Sequence, residues 1–283
     1  CCGYIGRGGA GHYVKMVHNG IEYGIMQLLC EAYDFMQSVL GMNAGQMQKV
    51  FARWNQGEMN SYLIEITAAV LDKTDPETGR PLVDVILDRA GQKGTGKWTS
   101  QNALDLGVAI PTINAALEGR ILSAIKDERV AAARVLTGPP AKPAADAEVL
   151  LASLQGALRL AILTCYAQGF ALMREASKEY GYNLDFAEIA RIWKGGCIIR
   201  ARVLDSIRAA FAADPALANL LIAEPFRGTA NLLQAELRTV VARAAECGVP
   251  VLALAASLGY LDSYRRERLP QNLLQAQRDY FGA

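Results

Sequence analysis

The sequence predicts an all-α protein: one large helical domain built from a duplicated multi-helix unit with long central helices. Three observations predict it. Apolar residues recur at three- and four-residue steps through nearly every segment. No run of alternating apolar and polar residues stands out as a strand. Three blocks of the first half also reappear, in the same order, in the second. Leu28-Leu29-Cys30-Glu31-Ala32 resembles Leu172-Met173-Arg174-Glu175-Ala176, and Leu40-Gly41-Met42-Asn43 resembles Tyr180-Gly181-Tyr182-Asn183. Val50-Phe51-Ala52-Arg53-Trp54 resembles Ile189-Ala190-Arg191-Ile192-Trp193. The period far exceeds the roughly 20–50 residues of solenoid repeats, so a single duplication is expected rather than an array. Its halves fall at about 11–137 and about 147–283 of one domain covering 1–283.

Taken in order, Gly6-Arg7-Gly8-Gly9-Ala10-Gly11 satisfies G-x-G-x-x-G. A dinucleotide fold needs a buried strand before this turn and a βαβ unit after it. Only Cys1 to Ile5 precede it and no such unit follows, so it reads as a linker leading into a helix. Ile21, Met26, Leu28, Leu29, Ala32, Phe35 and Met36 predict that helix over about 11–40. Its methionines read as flexible core filler. Gly20 and Gly24, one turn apart and away from Lys15, are expected to let another helix pack closely.

The same helix carries Lys15, His18, Asn19 and Glu22 at i, i+3, i+4 and i+7, which puts all four on one face. Lys15 and Glu22 are then about 10 Å apart along the axis, two turns of roughly 5.4 Å. A small polyol acid fits between a base and an acid so spaced, with two polar groups to orient it. Spacing alone leaves two readings open, a solvated face and a catalytic stripe. The second half has no copy of this stripe, so any chemistry is expected to be asymmetric and to belong to the first half.

Further on, Thr74 to Arg80 forms a turn cluster. Gly91-Gln92-Lys93-Gly94-Thr95-Gly96-Lys97-Trp98 nearly matches a P-loop, but Trp98 stands where the magnesium-holding hydroxyl belongs. That leaves a phosphate cradle or a plain flexible turn. Gly138 to Pro143 is a second turn cluster dividing the halves. Leu151, Leu154, Leu158, Ile162, Cys165, Gly169, Leu172, Met173 and Ala176 then predict one long helix over about 147–180.

Composition removes several function classes. A chain of 283 residues that is 52% hydrophobic is long and apolar enough to pack a core. Its net charge of +1, from 29 basic and 28 acidic residues, gives no ground for a nucleic-acid or anionic-membrane partner. The longest apolar stretch, Gly248 to Leu261, falls short of the roughly 18 residues that span a bilayer, and no signal peptide is visible. The six cysteines form no C-x-x-C pair, so neither zinc nor a disulfide framework is expected. They read as reduced, mostly buried small hydrophobes of a cytoplasmic protein. Two histidines, His12 and His18, make a metal site an unfavoured reading. The chain opens Cys1-Cys2 and closes Phe281-Gly282-Ala283, and both ends read as cuts in a longer protein.

Three segments resemble one known family, the decarboxylating 6-phosphogluconate dehydrogenases. Ile86-Leu87-Asp88-Arg89-Ala90-Gly91-Gln92-Lys93-Gly94-Thr95-Gly96-Lys97-Trp98 is similar to the family signature. Gly11-His12-Tyr13-Val14-Lys15-Met16-Val17-His18-Asn19-Gly20-Ile21-Glu22-Tyr23-Gly24 resembles the family's catalytic helix. Arg268-Leu269-Pro270-Gln271-Asn272 and Gln277 to Ala283 resemble its C-terminal region, and Trp193 to Arg200 is also similar. The likeness runs from end to end.

The resemblance implies the helical substrate and dimerisation domain of an enzyme that oxidises the 3-hydroxyl of 6-phosphogluconate with NADP or NAD. The β-keto acid then loses carbon dioxide, and the enediol is protonated to ribulose 5-phosphate. No metal is implied. Lys15 would be the general base, which requires a lysine able to shed its proton, as burial would allow. Glu22 would be the acid that protonates the enediol. His18 and Asn19 would orient the sugar acid. Tyr23, Lys93 and Arg120 would bind the phosphate. Arg278 would reach the partner's site in a homodimer.

Departures are equally plain. The family's nucleotide-binding domain, which would hold most of the cofactor site, does not precede Cys1. The family's next residue after Ala283 is a substrate-binding histidine, and Ile25 stands where most members carry an acid. An inactive isolated chain is therefore expected. A non-catalytic helical dimerisation or phosphosugar-binding module that kept the fold stays open as the alternative. A related β-hydroxyacid dehydrogenase with another substrate fits the lysine-bearing loop less well.

Overall fold

The computed structural model describes residues 2–91, 94–139 and 146–282. The described residues form thirteen α-helices, and no strand longer than an isolated bridge. In chain order they are α1 (Ala10–Ser38), α2 (Ala44–Trp54), α3 (Tyr62–Leu71), α4 (Leu82–Val85), α5 (Thr95–Asp105), α6 (Pro111–Ala124) and α7 (Lys126–Ala132). After the second turn cluster come α8 (Ala147–Glu179), α9 (Phe186–Trp193), α10 (Val203–Ala213), α11 (Glu224–Cys247), α12 (Leu252–Tyr264) and α13 (Gln271–Tyr280).

The two long helices, α1 and α8, pack against each other and form the centre of the core. α8 also packs on α11 and α12, while α1 is covered by α5, α6 and α12. Closeness depends on small residues. A Cβ at Gly24 would lie 2.6 Å from the Cys165 sulfur of α8, and one at Gly20 2.6 Å from the Thr99 methyl of α5. The two glycines thus admit two different helices rather than one. From the other side Gly169 of α8 receives the Ile21 side chain, with no space for a Cβ.

The matched blocks fall on matching places. Gly41 and Gly181 follow α1 and α8 at φ +66° and +64°, the left-handed conformation that favours glycine after a helix. Asn43 and Asp185 then cap α2 and α9 through side-chain oxygens that accept from Gln46 N and Glu188 N. Trp54 and Trp193 end those helices and are both buried. The halves meet at an antiparallel bridge, where Tyr62 N donates to Arg200 O (3.0 Å) and Arg202 N donates to Asn60 O (2.8 Å).

Four expectations change here. α8 is by length and composition apolar enough to cross a membrane, although no uninterrupted apolar run marks it; its central place among α1, α11 and α12 is that of a core helix. Of the described cysteines only Cys165 is buried, and Cys2 and Cys30 are exposed, so "mostly buried" does not hold. Of the α1 methionines, Met36 is core but Met26 is exposed, because it faces the groove between α1, α3 and α4. Gly94 is the N-cap of α5 at φ +94°, and Thr95 to Trp98 already belong to the helix, so the second part of the P-loop-like segment is helical.

Candidate functional site

The α1 stripe is not a solvated face. His18 is 1% exposed, Tyr23 is buried, and Asn19 and Glu22 are half-buried. Lys15 alone is exposed, at the end nearest the helix start. The burial asked of Lys15 is therefore not supplied by its neighbours in this chain.

His18 is the centre of the cluster. Its Nδ1 lies 3.1 Å from Lys15 Nζ, 3.0 Å from Asn19 Oδ1 and 3.9 Å from Glu22 Oε2. A neutral imidazole can accept at that nitrogen from Lys15 or donate from it to Asn19, but not both at once. The other nitrogen, Nε2, is buried without a hydrogen-bond partner among the described residues. Trp193 of α9 holds the ring edge-on at a centroid distance of 5.7 Å. Burial, helped by the charge of Lys15, pushes the His18 pKa down to about 4, so the ring is neutral near pH 7. Asn19 is oriented from outside α1 as well, because its Nδ2 donates to Thr95 Oγ1 at 3.1 Å.

Glu22 lies one turn further on. Burial pushes its carboxyl up, while Lys15 and Arg120 pull it back. A carboxyl raised in this way keeps its proton to a higher pH than an exposed one, as a general acid requires. Arg120, on α6, lies over the Tyr23 ring with its guanidinium carbon 3.6 Å from the ring centroid. Its Nη1 donates to Gly91 O at 3.1 Å. A Cβ at Gly96 would be 2.6 Å from the Tyr23 ring, so this glycine of the signature makes room for the tyrosine.

The structure thus brings Lys15, His18, Asn19, Glu22, Tyr23 and Arg120 into one region. Lys93 lies outside the described residues. Arg278 is exposed on α13, which has no buried residue, and no hydrogen bond or ion pair joins Arg278 to the α1 stripe among the described residues. Thr95 and Trp193 sit in quoted motifs but were not singled out as site residues. A threonine at a helix start and a tryptophan at a helix end have commoner explanations in sequence alone.

Among the described residues no group of His, Cys, Asp and Glu could hold a metal ion. The glycine turn before α1 has Gly8 at φ +57° and Gly9 as the helix N-cap, and no strand enters it among the described residues. The strand–turn–helix cradle of a dinucleotide is not built there.

The comparisons follow the same lines. A family model described as 6-phosphogluconate dehydrogenase, C-terminal domain, matches residues 11–283. A decarboxylating 6-phosphogluconate dehydrogenase of Synechococcus elongatus is 58% identical over 100% of this chain and 61% of that protein. An NADP(+)-dependent, decarboxylating one of Bacillus subtilis is 54% identical over 100% of this chain and 61% of its own. The solved 6-phosphogluconate dehydrogenase of Plasmodium falciparum superposes with a TM-score of 0.96 at 44% identity, covering 99% of this chain and 60% of that one. That enzyme is known in its apo form, with its cofactor NADP+ and with its substrate 6-phosphogluconate. This chain therefore spans about 60% of the length of these relatives. The helical fold, the α1 cluster and the match over residues 11–283 agree: the chain belongs to the 6-phosphogluconate dehydrogenase C-terminal domain family.

Proposed function

We propose that this chain is the substrate-binding and dimerisation part of an enzyme that oxidatively decarboxylates 6-phosphogluconate to ribulose 5-phosphate with NADP or NAD. The observation that carries it is the α1 cluster, where an amine, a neutral imidazole, an amide and a carboxyl of raised pKa follow one another along one helix. Residues 1–283 act as one unit, with duplicated halves at about 11–137 and 147–283.

In this reading Lys15 takes the proton of the 3-hydroxyl and, as the ammonium, polarises the ketone while the carboxylate leaves as carbon dioxide. His18 and Asn19 bind and orient the sugar acid, and Glu22 protonates the enediol carbon. Tyr23, Lys93 and Arg120 hold the phosphate, where a guanidinium suits the anionic oxygens. The dinucleotide is held mainly by residues outside this chain. Arg278 reaches the site of the second copy in a homodimer, which suits an exposed helix with Leu273, Leu274, Tyr280 and Phe281 all in solvent. The setting is cytoplasmic.

The test is calorimetric titration with 6-phosphogluconate and with gluconate. It is done on this chain and on a fusion with the part of the Synechococcus elongatus relative that the chain does not span. Saturable binding that needs the phosphate, with ribulose 5-phosphate formed by the fusion, is the expected result. A folded fusion that neither binds nor turns over 6-phosphogluconate would overturn the reading in favour of a non-catalytic module.

A further inference from the structure

Residues 86–91, between α4 and the α5 region, have no helix or strand of their own. Burial does not anchor them either, since Ile86 and Leu87 are 58% and 63% exposed. What fixes them is a row of polar contacts from α6 and α7. Asp88 Oδ1 is 2.6 Å from Lys126 Nζ, and its Oδ2 is 3.1 Å from Arg129 Nη2. The same Nη2 also donates to the Asp88 carbonyl (3.3 Å) and to Ser123 O (3.2 Å). Ala90 N donates to Ser123 Oγ at 2.9 Å. The row ends where Gly91 O receives Arg120 Nη1, the guanidinium that lies over Tyr23.

We infer that Asp88 is a positioning residue for the Arg120 anion anchor, clamping the 88–91 backbone to α7 so that the Gly91 carbonyl holds the guanidinium over Tyr23. Besides Gly91 O, the guanidinium meets the Tyr23 ring and the Met26 sulfur among the described residues, neither of which is an oxygen acceptor in its plane. With Gly91 in place the plane is set, and the remaining in-plane N–H donors are directed before any phosphate arrives. Such preorganisation lowers the ordering cost of binding. Lys126 and Arg129 hold the Asp88 carboxyl down at about 2, so the clamp is charged over the whole working range of pH. As an exposed ion-pair cluster it weakens with salt. The inference rests on the proposed role of Arg120 for its effect on substrate, but not for the clamp itself.

The clamp is read first in this chain by nuclear magnetic resonance. Asp88→Asn and Lys126→Met should each shift the Arg120 side-chain NεH signal and the Tyr23 ring signals. Asp88→Glu should restore them, and Asp84→Asn on α4 should leave them in place. In the fusion, Asp88→Asn should raise KM for 6-phosphogluconate roughly fivefold, the upper range for an exposed ion pair, with kcat within about twofold. Unmoved Arg120 and Tyr23 signals in both variants would overturn the clamp. Moved signals with an unchanged KM would overturn its role in substrate binding. A wild-type fusion with no activity would count against the proposed function, and the resonance shifts would still decide the clamp.

Discussion

Acidification should weaken this fold through one buried imidazole. The folded chain keeps His18 neutral because burial and the nearby Lys15 charge lower its pKa from 6.5 to about 4. The unfolded chain takes that proton near 6.5, so between the two values the unfolded state binds a proton that the folded state refuses. The His18 contribution is therefore flat above pH 6.5, falls as the pH drops through the window, and levels off below about 4. The gap between 6.5 and about 4 corresponds to roughly 3 kcal/mol, a sizeable share of the stability of an ordinary domain. The assay is direct because the chain has two histidines and His12 is exposed. A His12→Gln variant leaves a single imidazole whose ring proton can be followed from pH 8 to pH 4. Urea denaturation across the same range, compared with His18→Gln, isolates the stability slope. A His18 ring that titrates between 6 and 7, or equal slopes in the two proteins, would refute the reasoning.

Further outcomes follow from other contacts. Glu31 of α1 is 2% exposed and accepts from Ala253 N (2.7 Å) and Leu254 N (2.9 Å) at the start of α12. Glu31→Ala strands both donors and should cost about 2–4 kcal/mol in chemical denaturation. Gly96→Ala drives a methyl into the Tyr23 ring and should cost about 1–3 kcal/mol while weakening 6-phosphogluconate binding measured by calorimetry. Lys15→Ala and Glu22→Gln in the fusion should each lower kcat by about two to four orders of magnitude in a steady-state assay. Arg120→Lys loses the planar stack on Tyr23 and should raise KM more than it lowers kcat.

The helices were legible because their signal is local. A 3.6-residue period marks α1 and α8 to within a residue or two, and capping residues such as Asn43 and Asp185 stand where the chain must turn. The polar stripe of Lys15, His18, Asn19 and Glu22 was legible for the same reason, being a spacing on one helix. Its surroundings were not. Trp193 meets His18 from 175 positions away in the chain, and Arg120 meets Tyr23 across 97, at distances where no local pattern operates. Only the grouping of Arg120 with Tyr23 was implied, by family resemblance, and spacing would not have selected Arg120. Glu31 stands in a repeated block with no local mark of its role, and it is buried as the cap of a helix 222 residues further on. Gly96 lies in a glycine-rich motif, and what demands glycine there is a ring pressed against it from α1. The apolar residues that predict α8 are spread around the helix instead of gathered in a run, the pattern of a helix covered on most sides.

The glycine contacts along α1 have a mechanical meaning. The helix is keyed at three points, by Thr99 at Gly20, by Cys165 at Gly24 and by its own Ile21 in the notch at Gly169. An axial slide by one residue is about 1.5 Å with a turn of some 100°, and any such step would bring a larger residue than glycine against Thr99 and Cys165. These contacts resist slip and rotation of the helix, so the order of amine, imidazole and carboxyl along it is carried as one cassette. Closure around a ligand has to come from the parts that surround α1. Natural or engineered changes of specificity at this site should accordingly arise by exchanging individual side chains on the cassette or its walls, with the helix register unchanged.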